Sequence, residues 1–391
     1  MPPSIESTPV TGSCPAETFH ASDLTITRST TLKPFTDPRT MTGSSTDHML
    51  TVTWSNSTGW DVPEIVPYAP LALDPAATVL HYANECFEGM KAYRNKRTGK
   101  IRVFRPDLNA KRLNMSADRI ALPSFDNDEF VALLCAFAAV EERWLAWSGN
   151  STISESDEND FLYLRPMMIG TTPRLGLAKP NDAMLLIIAS KLPSWHTRPL
   201  RVLASSPEES VRAWPGGFGF AKVGANYGPT LQYQTRAASL GYDQVLWLFD
   251  VEKQYVTEAG GANFFVVWRT EDGGVELVTA PLETGTVLNG VTRRSVIELV
   301  RERMPEVSVI ERQFTIAEIV AAVESRRIIE AFTCGTAYFI APVGEIGISG
   351  RDVKIPLKAE GKSGEYARTV RRWLEEIMYG EIDHAWGVAV N

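Results

Sequence analysis

Apolar and polar residues alternate over His48–Trp54 (His-Met-Leu-Thr-Val-Thr-Trp), the pattern of a half-buried strand. The same period, or a short apolar run bounded by turn residues, predicts strands at Ile101–Phe104, Leu162–Ile169 and Ala183–Ser190. Glu64–Leu73 and Ala77–Tyr82 read as further strand and loop. Helical spacing starts after Arg105: Pro106 suits an early helical position, and Leu108, Arg112, Leu113 and Met115 follow. Phe130–Trp147 carries a longer amphipathic helix, and Ser148–Asp160 is a polar, acidic stretch that belongs in a surface loop. In the second half, strands are expected at Gln244–Phe249, Tyr255–Thr257, Asn263–Trp268, Glu276–Thr279, Arg327–Thr333 and Ala337–Pro342. Helices are expected at Pro229–Leu240, Thr292–Arg303, Thr315–Ser325 and Gly364–Tyr379.

Strands and helices mix here without the regular alternation of a doubly wound sheet, which places the fold in the mixed α+β class. Residues 1–46 are rich in Ser, Thr and Pro, lack periodicity and read as a flexible N-terminal arm. Leu192–Leu200 has two prolines and little pattern, so the expected division is a small domain over 47–192, a linker over 193–202 and a large domain over 203–391.

Composition narrows the function classes. A hydrophobic fraction of 44% over 391 residues supports real cores. A net charge of −8 argues against non-specific nucleic-acid or anionic-membrane binding, and no apolar run approaches a membrane span. Cys14, Cys86, Cys135 and Cys334 are scattered and form no C-x-x-C pair, so neither a metal site nor a disulfide framework is expected and a reducing compartment suits the chain. Glu6 and Glu17 precede the first arginine, Arg28, which makes a poor mitochondrial presequence; the cytoplasm is favoured, with the mitochondrion left open.

The candidate chemistry centres on Arg212–Leu231, where Lys222 stands among Gly216, Gly217, Gly219, Gly224 and Gly228 and beside Phe218, Phe220 and Val223. A lysine desolvated by such neighbours presents an amine able to attack a carbonyl and form a Schiff base, to a substrate or to pyridoxal phosphate. The local G-x-G-x-x-K lacks the third glycine and the downstream acid of a dinucleotide fingerprint, and no Gly-Lys-Ser/Thr makes a P-loop. Taken alone, a lysine in a Gly-rich loop is usually a solvated surface residue, and the local pattern leaves Lys222 undecided. Three signals follow it in order. Thr257–Asn263 places Glu258 at a strand-to-turn junction, Leu288–Arg294 puts Gly290 directly before a helix whose amides can hold a phosphate, and Thr333–Ala337 is a small-residue turn fit for an anion.

Together these closely resemble the fold-type IV pyridoxal-phosphate enzymes, and within them the eukaryotic branched-chain amino-acid aminotransferases. The resemblance runs from about Thr46 to the C-terminus and rests on Phe87-Glu88-Gly89-Met90-Lys91-Ala92, Phe104-Arg105-Pro106, Arg165-Pro166, Arg212-Ala213-Trp214, Lys222-Val223-Gly224-Ala225-Asn226-Tyr227 and Gly290-Val291-Thr292-Arg293-Arg294. It implies a two-domain fold, a small α/β domain beside a larger one with a mainly antiparallel, barrel-like sheet. It implies pyridoxal 5′-phosphate as cofactor, linked to Lys222, which also carries the substrate's α-proton. Glu258 would face the pyridine nitrogen, Tyr227 the ring's phenolic oxygen, and Arg112 with Val291, Thr292 and Thr336 the phosphate; Arg212 would support the cofactor. On the substrate side, the resemblance implies Phe87, Tyr163, Arg165, Gly261, Ala262, Thr336 and Ala337, with Tyr82, Leu175 and Leu177 reaching in from the partner of a homodimer. Arg165, helped by Tyr82, would accept the distal carboxylate of glutamate. The implied reaction is transamination between branched-chain L-amino acids and 2-oxoglutarate, in either direction and in general or specialised metabolism.

The chain departs from the family where Met41 and Ser45 stand for aromatics and where Gly261 and Ala262 replace Thr and Met. Two readings stay open: neighbours such as Phe87 or Tyr163 repack around an ordinary Leu/Ile/Val pocket, which is the more common outcome, or the pocket accepts larger apolar side chains. A D-amino-acid aminotransferase or aminodeoxychorismate lyase shares the Lys, Glu and Arg set, but the Arg165-Pro166 and Gly290–Arg294 contexts favour the branched-chain group. A non-catalytic pyridoxal-phosphate module has no need of Tyr82, Tyr163 and Arg165, all of which are present.

Overall fold

The computed structural model describes residues 18–34, 45–145, 161–192, 198–337, 339–358 and 363–390. Two sheets carry these residues, and the mixed α/β class expected from the pattern is what they form. The first runs in the order Thr25–Ile26, Glu64–Pro67, His48–Ser55, Asp182–Ser190, Phe161–Gly170, Met90–Arg94, Ile101–Phe104, Gly387–Val390. Its ladders are antiparallel except that of Thr25–Ile26 with Glu64–Pro67. Helices Pro106–Arg119 and Asn127–Val140 pack on it, and Leu113, Phe130, Leu134 and Phe137 share one core with Leu50, Leu164 and Ile187. Burial of such side chains contributes about 1.5–3 kcal/mol each before the entropy cost of ordering them.

The second sheet closes on itself. Strands Tyr255–Ala259, Gln244–Phe249, Leu200–Ala204, Phe339–Ile348, Ile328–Gly335 and Ala262–Arg269 follow one another, and the last pairs back onto Tyr255–Ala259. Leu200–Ala204 runs parallel to both its neighbours; the other ladders of the ring are antiparallel. Closure removes the free edge that an open sheet must protect. Leu246, Phe264, Val266, Val343 and Ile346 belong to one core, while helices Val291–Arg303 and Glu365–Met378 seal another against Phe265 and Phe332.

Several elements differ from the pattern-based reading. Phe19, inside the stretch expected as an arm, is buried and stacks on Phe125, and Thr25–Ile26 joins the first sheet. One aromatic in a polar stretch has no period to announce it. Thr78–Tyr82 is a short helix rather than strand and loop, closed by Ala83 in the left-handed region at φ 51; β-branched Thr78 and Val79 imitate a strand. The helix expected from Phe130 begins three residues earlier, because Asp126 caps it by accepting from the amides of Asp128 and Glu129, and it stops at Val140. Gly387–Val390 crosses back to the first sheet, although it falls in the span assigned to the large domain. The Ser148–Asp160 loop lies outside the described residues, as does much of Leu192–Leu200.

Glu330, buried in the Ile328–Gly335 strand, accepts from the Ala367 amide at 2.6 Å in the first turn of helix Glu365–Met378. Burial pushes its carboxyl up to about 7 against the lowering effect of that bond. Between the ordinary value of 4.5 and about 7 the folded chain holds a proton that the unfolded chain has released. Stability therefore falls as pH rises through that window, by up to about 3 kcal/mol. Glu330→Gln removes the dependence. Its Tm relative to the parent protein should climb from pH 4.5 to 7.5, and parallel Tm profiles would contradict the assignment.

Candidate active site

The Lys222 loop is stitched to the first sheet by its own backbone. Phe87 N donates to Lys222 O at 3.1 Å, Val223 bridges Cys86, and Lys222 N donates to Ser116 Oγ at 2.8 Å on helix Pro106–Arg119. The lysine side chain is thereby aimed at a ring cluster. Its Nζ donates to Tyr227 Oη at 2.9 Å and lies 4.4 Å from the Phe87 ring centre. No carboxylate comes within ion-pair distance of Nζ among the described residues. Phe87 and Tyr227 pack with ring centres 5.0 Å apart. Asn226 holds the turn by donating to the carbonyls of Phe218 and Ala221.

Glu258 is 1% exposed. Its Oε1 accepts from Asn263 Nδ2 and from Leu288 N, each at 3.1 Å. Arg212 Nη2 stands 2.9 Å from Oε2, an ion pair without hydrogen-bond alignment, so Oε2 has no donor among the described residues. Arg212 itself is fixed through Thr286 O at 3.1 Å. A buried carboxylate oxygen without a donor is costly and points to a missing partner.

From Leu288 the chain passes directly to the anion end of the site. Arg112 Nη1 donates to Asn289 O at 3.0 Å, and Val291 and Thr292 open a thirteen-residue helix. Gly290 is required there: a Cβ would fall 2.1 Å from Asn263 Oδ1. Arg112 is held by Glu88, which accepts from Nε at 2.7 Å and from Nη2 at 2.8 Å. Burial works against the Arg112 charge, but Glu88 outweighs it and raises its pKa further. Glu88 is fully buried and also accepts from Asn109 Nδ2 at 2.8 Å. With five N–H groups and three so engaged, the Arg112 guanidinium keeps two for an anion. Val291, Thr292 and Thr336 line one small opening together with Lys91 and Asn109.

On the other flank, Arg165 Nη2 donates to Tyr163 Oη at 2.9 Å, and Arg165 Cζ lies 4.8 Å from the Phe87 ring centre. Its buried Nε has no partner among the described residues. Glu85 accepts from the Gly224 amide nearby; burial raises its carboxyl above the usual range, against the pull of Arg165, that amide and Lys222. Gly261 is exposed at its turn, whereas Ala262 is buried and faces Gly335. Thr336 and Ala337 sit half-buried at the turn after Gly335.

Tyr82, Leu175 and Leu177 stand apart from this cluster. Tyr82 donates to Leu175 O, and Leu175 and Leu177 are 69% and 79% exposed. Ser45 bridges Ser190, and Met41 lies outside the described residues. Ser116, Glu88, Asn109 and Asn263 were absent from the expected site. Glu88 and Asn263 lie inside recognised motifs, which was their only signal in the sequence. Among the described residues, no group of three or more His, Cys, Asp or Glu is placed to hold a metal, and no helix is long and apolar enough to cross a membrane.

Residues 85–346 match the amino-transferase class IV family. The cytosolic branched-chain-amino-acid aminotransferase of Saccharomyces cerevisiae is 43% identical over 353 residues, covering 89% of this chain and 91% of that protein. The mitochondrial enzyme of the same name from that yeast is 41% identical over 377 residues, covering 95% and 93%. Among solved structures, the branched-chain amino acid aminotransferase from Escherichia coli aligns with a TM-score of 0.64 at 26% identity, covering 86% of this chain and 97% of that one.

Proposed function

This chain belongs to the class IV aminotransferases, in their branched-chain-amino-acid group, and we infer that it exchanges the amino group of a branched-chain L-amino acid with 2-oxoglutarate. The cofactor is pyridoxal 5′-phosphate, whose aldehyde is linked by a lysine and whose protonated ring, when bound, stabilises negative charge developing at the substrate's α-carbon. The observation that carries its fit to this site is the buried Glu258 Oε2 without a donor, ready for a ring N–H.

The other residues take their roles from their bonds. Lys222 Nζ, oriented by Tyr227 Oη, would hold the cofactor's aldehyde carbon and, once released by the incoming amino group, would accept and return the substrate's α-proton. Arg112, braced by Glu88, offers its two remaining N–H groups to the phosphate, beside the Val291 and Thr292 amides at a helix start. Arg212 balances the Glu258 charge. Phe87 and Tyr163 give the apolar wall, and Arg165, with an unused Nε, takes the distal carboxylate of 2-oxoglutarate or glutamate at the pocket's edge. The Thr336–Ala337 turn faces the α-carboxylate. Amino acids and 2-oxo acids are thus the small-molecule partners. Purified protein with L-leucine and 2-oxoglutarate should form L-glutamate; absence of glutamate with leucine, isoleucine and valine alike would refute the reading.

A homodimer is part of the proposal. Leu80, Leu175 and Leu177 are 59%, 69% and 79% exposed beside Tyr82, an apolar surface that a second copy would cover while completing the substrate pocket. Light scattering should give twice the chain mass, and a fully active monomer would be incompatible. The relatives include cytosolic and mitochondrial forms, and cell fractionation would show which of the two compartments holds this chain.

The pocket is also proposed to admit larger apolar side chains. A Cβ at Gly261 would meet only Tyr227 Cε1, at 3.8 Å, so the turn has room for a side chain that it lacks. Gly261→Thr should lower kcat/KM for phenylalanine relative to leucine by about tenfold, at the low end of the 1–3 kcal/mol that a methylene-sized change makes in an apolar pocket. An unchanged ratio would remove Gly261 from the determinants of range.

A further inference from the structure

Glu85 opens the short strand Glu85–Phe87, whose register sets Glu85 opposite Ile169 and Phe87 opposite Met167. Side chains two apart on a strand share a face, and so do directly paired residues. Glu85 and Phe87 therefore stand on the same face as Ile169, Met167 and Arg165. On that face Arg165 Cζ lies 4.8 Å, and Lys222 Nζ 4.4 Å, from the Phe87 ring centre. The lysine loop closes down on Glu85 from the other side, where a Cβ at Gly224 would collide with its Oε2.

The carboxyl is half-buried, and burial raises it above the usual range; Arg165, the Gly224 amide and Lys222 pull it back, in that order. Among the described residues no cation comes within ion-pair distance of it. Arg165 instead engages Tyr163 Oη through Nη2, and its buried Nε has no partner. A glutamine of the same volume would accept from the Gly224 amide without the desolvation cost of a charge. The local structure thus has no need of the negative charge. It stands in the field of a guanidinium whose free N–H is left for an incoming carboxylate.

We propose that Glu85 is a specificity-determining residue, a fixed negative charge that weakens dicarboxylic substrates at Arg165 and leaves apolar monocarboxylic ones untouched. This deepens the transamination reading above and rests on Arg165 taking the distal carboxylate. Discrimination is a difference of affinities, and a like charge in low-dielectric surroundings opposes one substrate class without touching the other. L-Glutamate and 2-oxoglutarate bring a second carboxylate into the field of Glu85. Leucine and its 2-oxo acid bring only a branched hydrocarbon to that end of the pocket.

The test measures the two half-reactions separately on the holoenzyme, with L-glutamate and with L-leucine, at mildly alkaline pH so that the carboxyl is ionised. The chains are the parent, Glu85→Gln, Glu85→Asp and Arg165→Gln. Glu85→Gln should lower the half-saturating concentration of L-glutamate at least about threefold and keep that of L-leucine within about twofold, as expected for loss of one like charge acting through space. Glu85→Asp, which keeps the charge, should keep glutamate close to the parent. An unchanged glutamate response in Glu85→Gln overturns the proposal. So does an equal shift for leucine, which marks a disturbed lysine loop, or an aspartate variant that behaves like the glutamine one. Arg165→Gln separates the two readings: it should weaken glutamate far more than leucine, and if it does not, the distal-carboxylate role of Arg165 falls and this proposal with it.

Discussion

Lys222→Ala should abolish turnover, by at least about 10⁴-fold, the upper range for one positioned proton-transfer group. Two functions are lost together, the covalent link and the amine that carries the α-proton. The fold should survive. The loop is held by backbone contacts that an alanine keeps: Lys222 N to Ser116 Oγ at 2.8 Å and Phe87 N to Lys222 O at 3.1 Å. Far-UV circular dichroism of the variant should match the parent. Borohydride reduction of the holoenzyme and peptide mapping should place the pyridoxyl label on Lys222. A label on Lys91, a buried lysine on the Met90–Arg94 strand, would transfer the assignment there.

Glu258→Gln should slow the reaction at least about a hundredfold, on the order of one preorganised electrostatic contact. The hydrogen bonds fix how the amide must sit. Asn263 Nδ2 and Leu288 N both donate to the Oε1 position, so the glutamine carbonyl takes that place. The amide nitrogen is then left where Oε2 lay, a donor facing the Arg212 cation and unable to accept a ring N–H. Glutamine therefore removes both the charge and the acceptor without changing volume. The pH-independent rate with leucine is the measurement, and a rate within about threefold of the parent, too small a loss for one such contact, would assign the ring contact to another residue.

What the sequence makes legible divides along a physical line. Lys222, Glu258, Arg112 and the Val291–Thr292 helix start belong to short motifs whose residue types are tied to one chemistry, and the Leu288–Asn289 segment joins the last three of them. Glu88, Asn109, Ser116 and Asn263 hold those residues in place, and their types are common in any core or helix. Only three-dimensional contact shows that Glu88 fixes Arg112 or that Ser116 anchors the Lys222 backbone. Strands such as His48–Ser55, Asp182–Ser190 and Gln244–Phe249 follow from period two or from apolar runs, whereas Met90–Arg94, Leu200–Ala204 and Val307–Glu311 are not read from the pattern. The closure of the second sheet does not follow from it either, because it depends on the pairing of Glu258 with Asn263 across a tight turn rather than on composition. Gly387–Val390 was unreadable for a similar reason: four small residues become a strand only because Ile101–Phe104 offers an edge.

The most direct measurement is a half-reaction. Holoenzyme is mixed with L-leucine and, separately, with D-leucine, without an acceptor, while cofactor absorbance and released 2-oxo acid are followed. With L-leucine, one equivalent of the branched 2-oxo acid per chain should appear as the absorbance of the lysine-linked cofactor is lost, and D-leucine should give none. Conversion of D-leucine alone, or of neither, would contradict the assignment as an L-specific branched-chain transaminase.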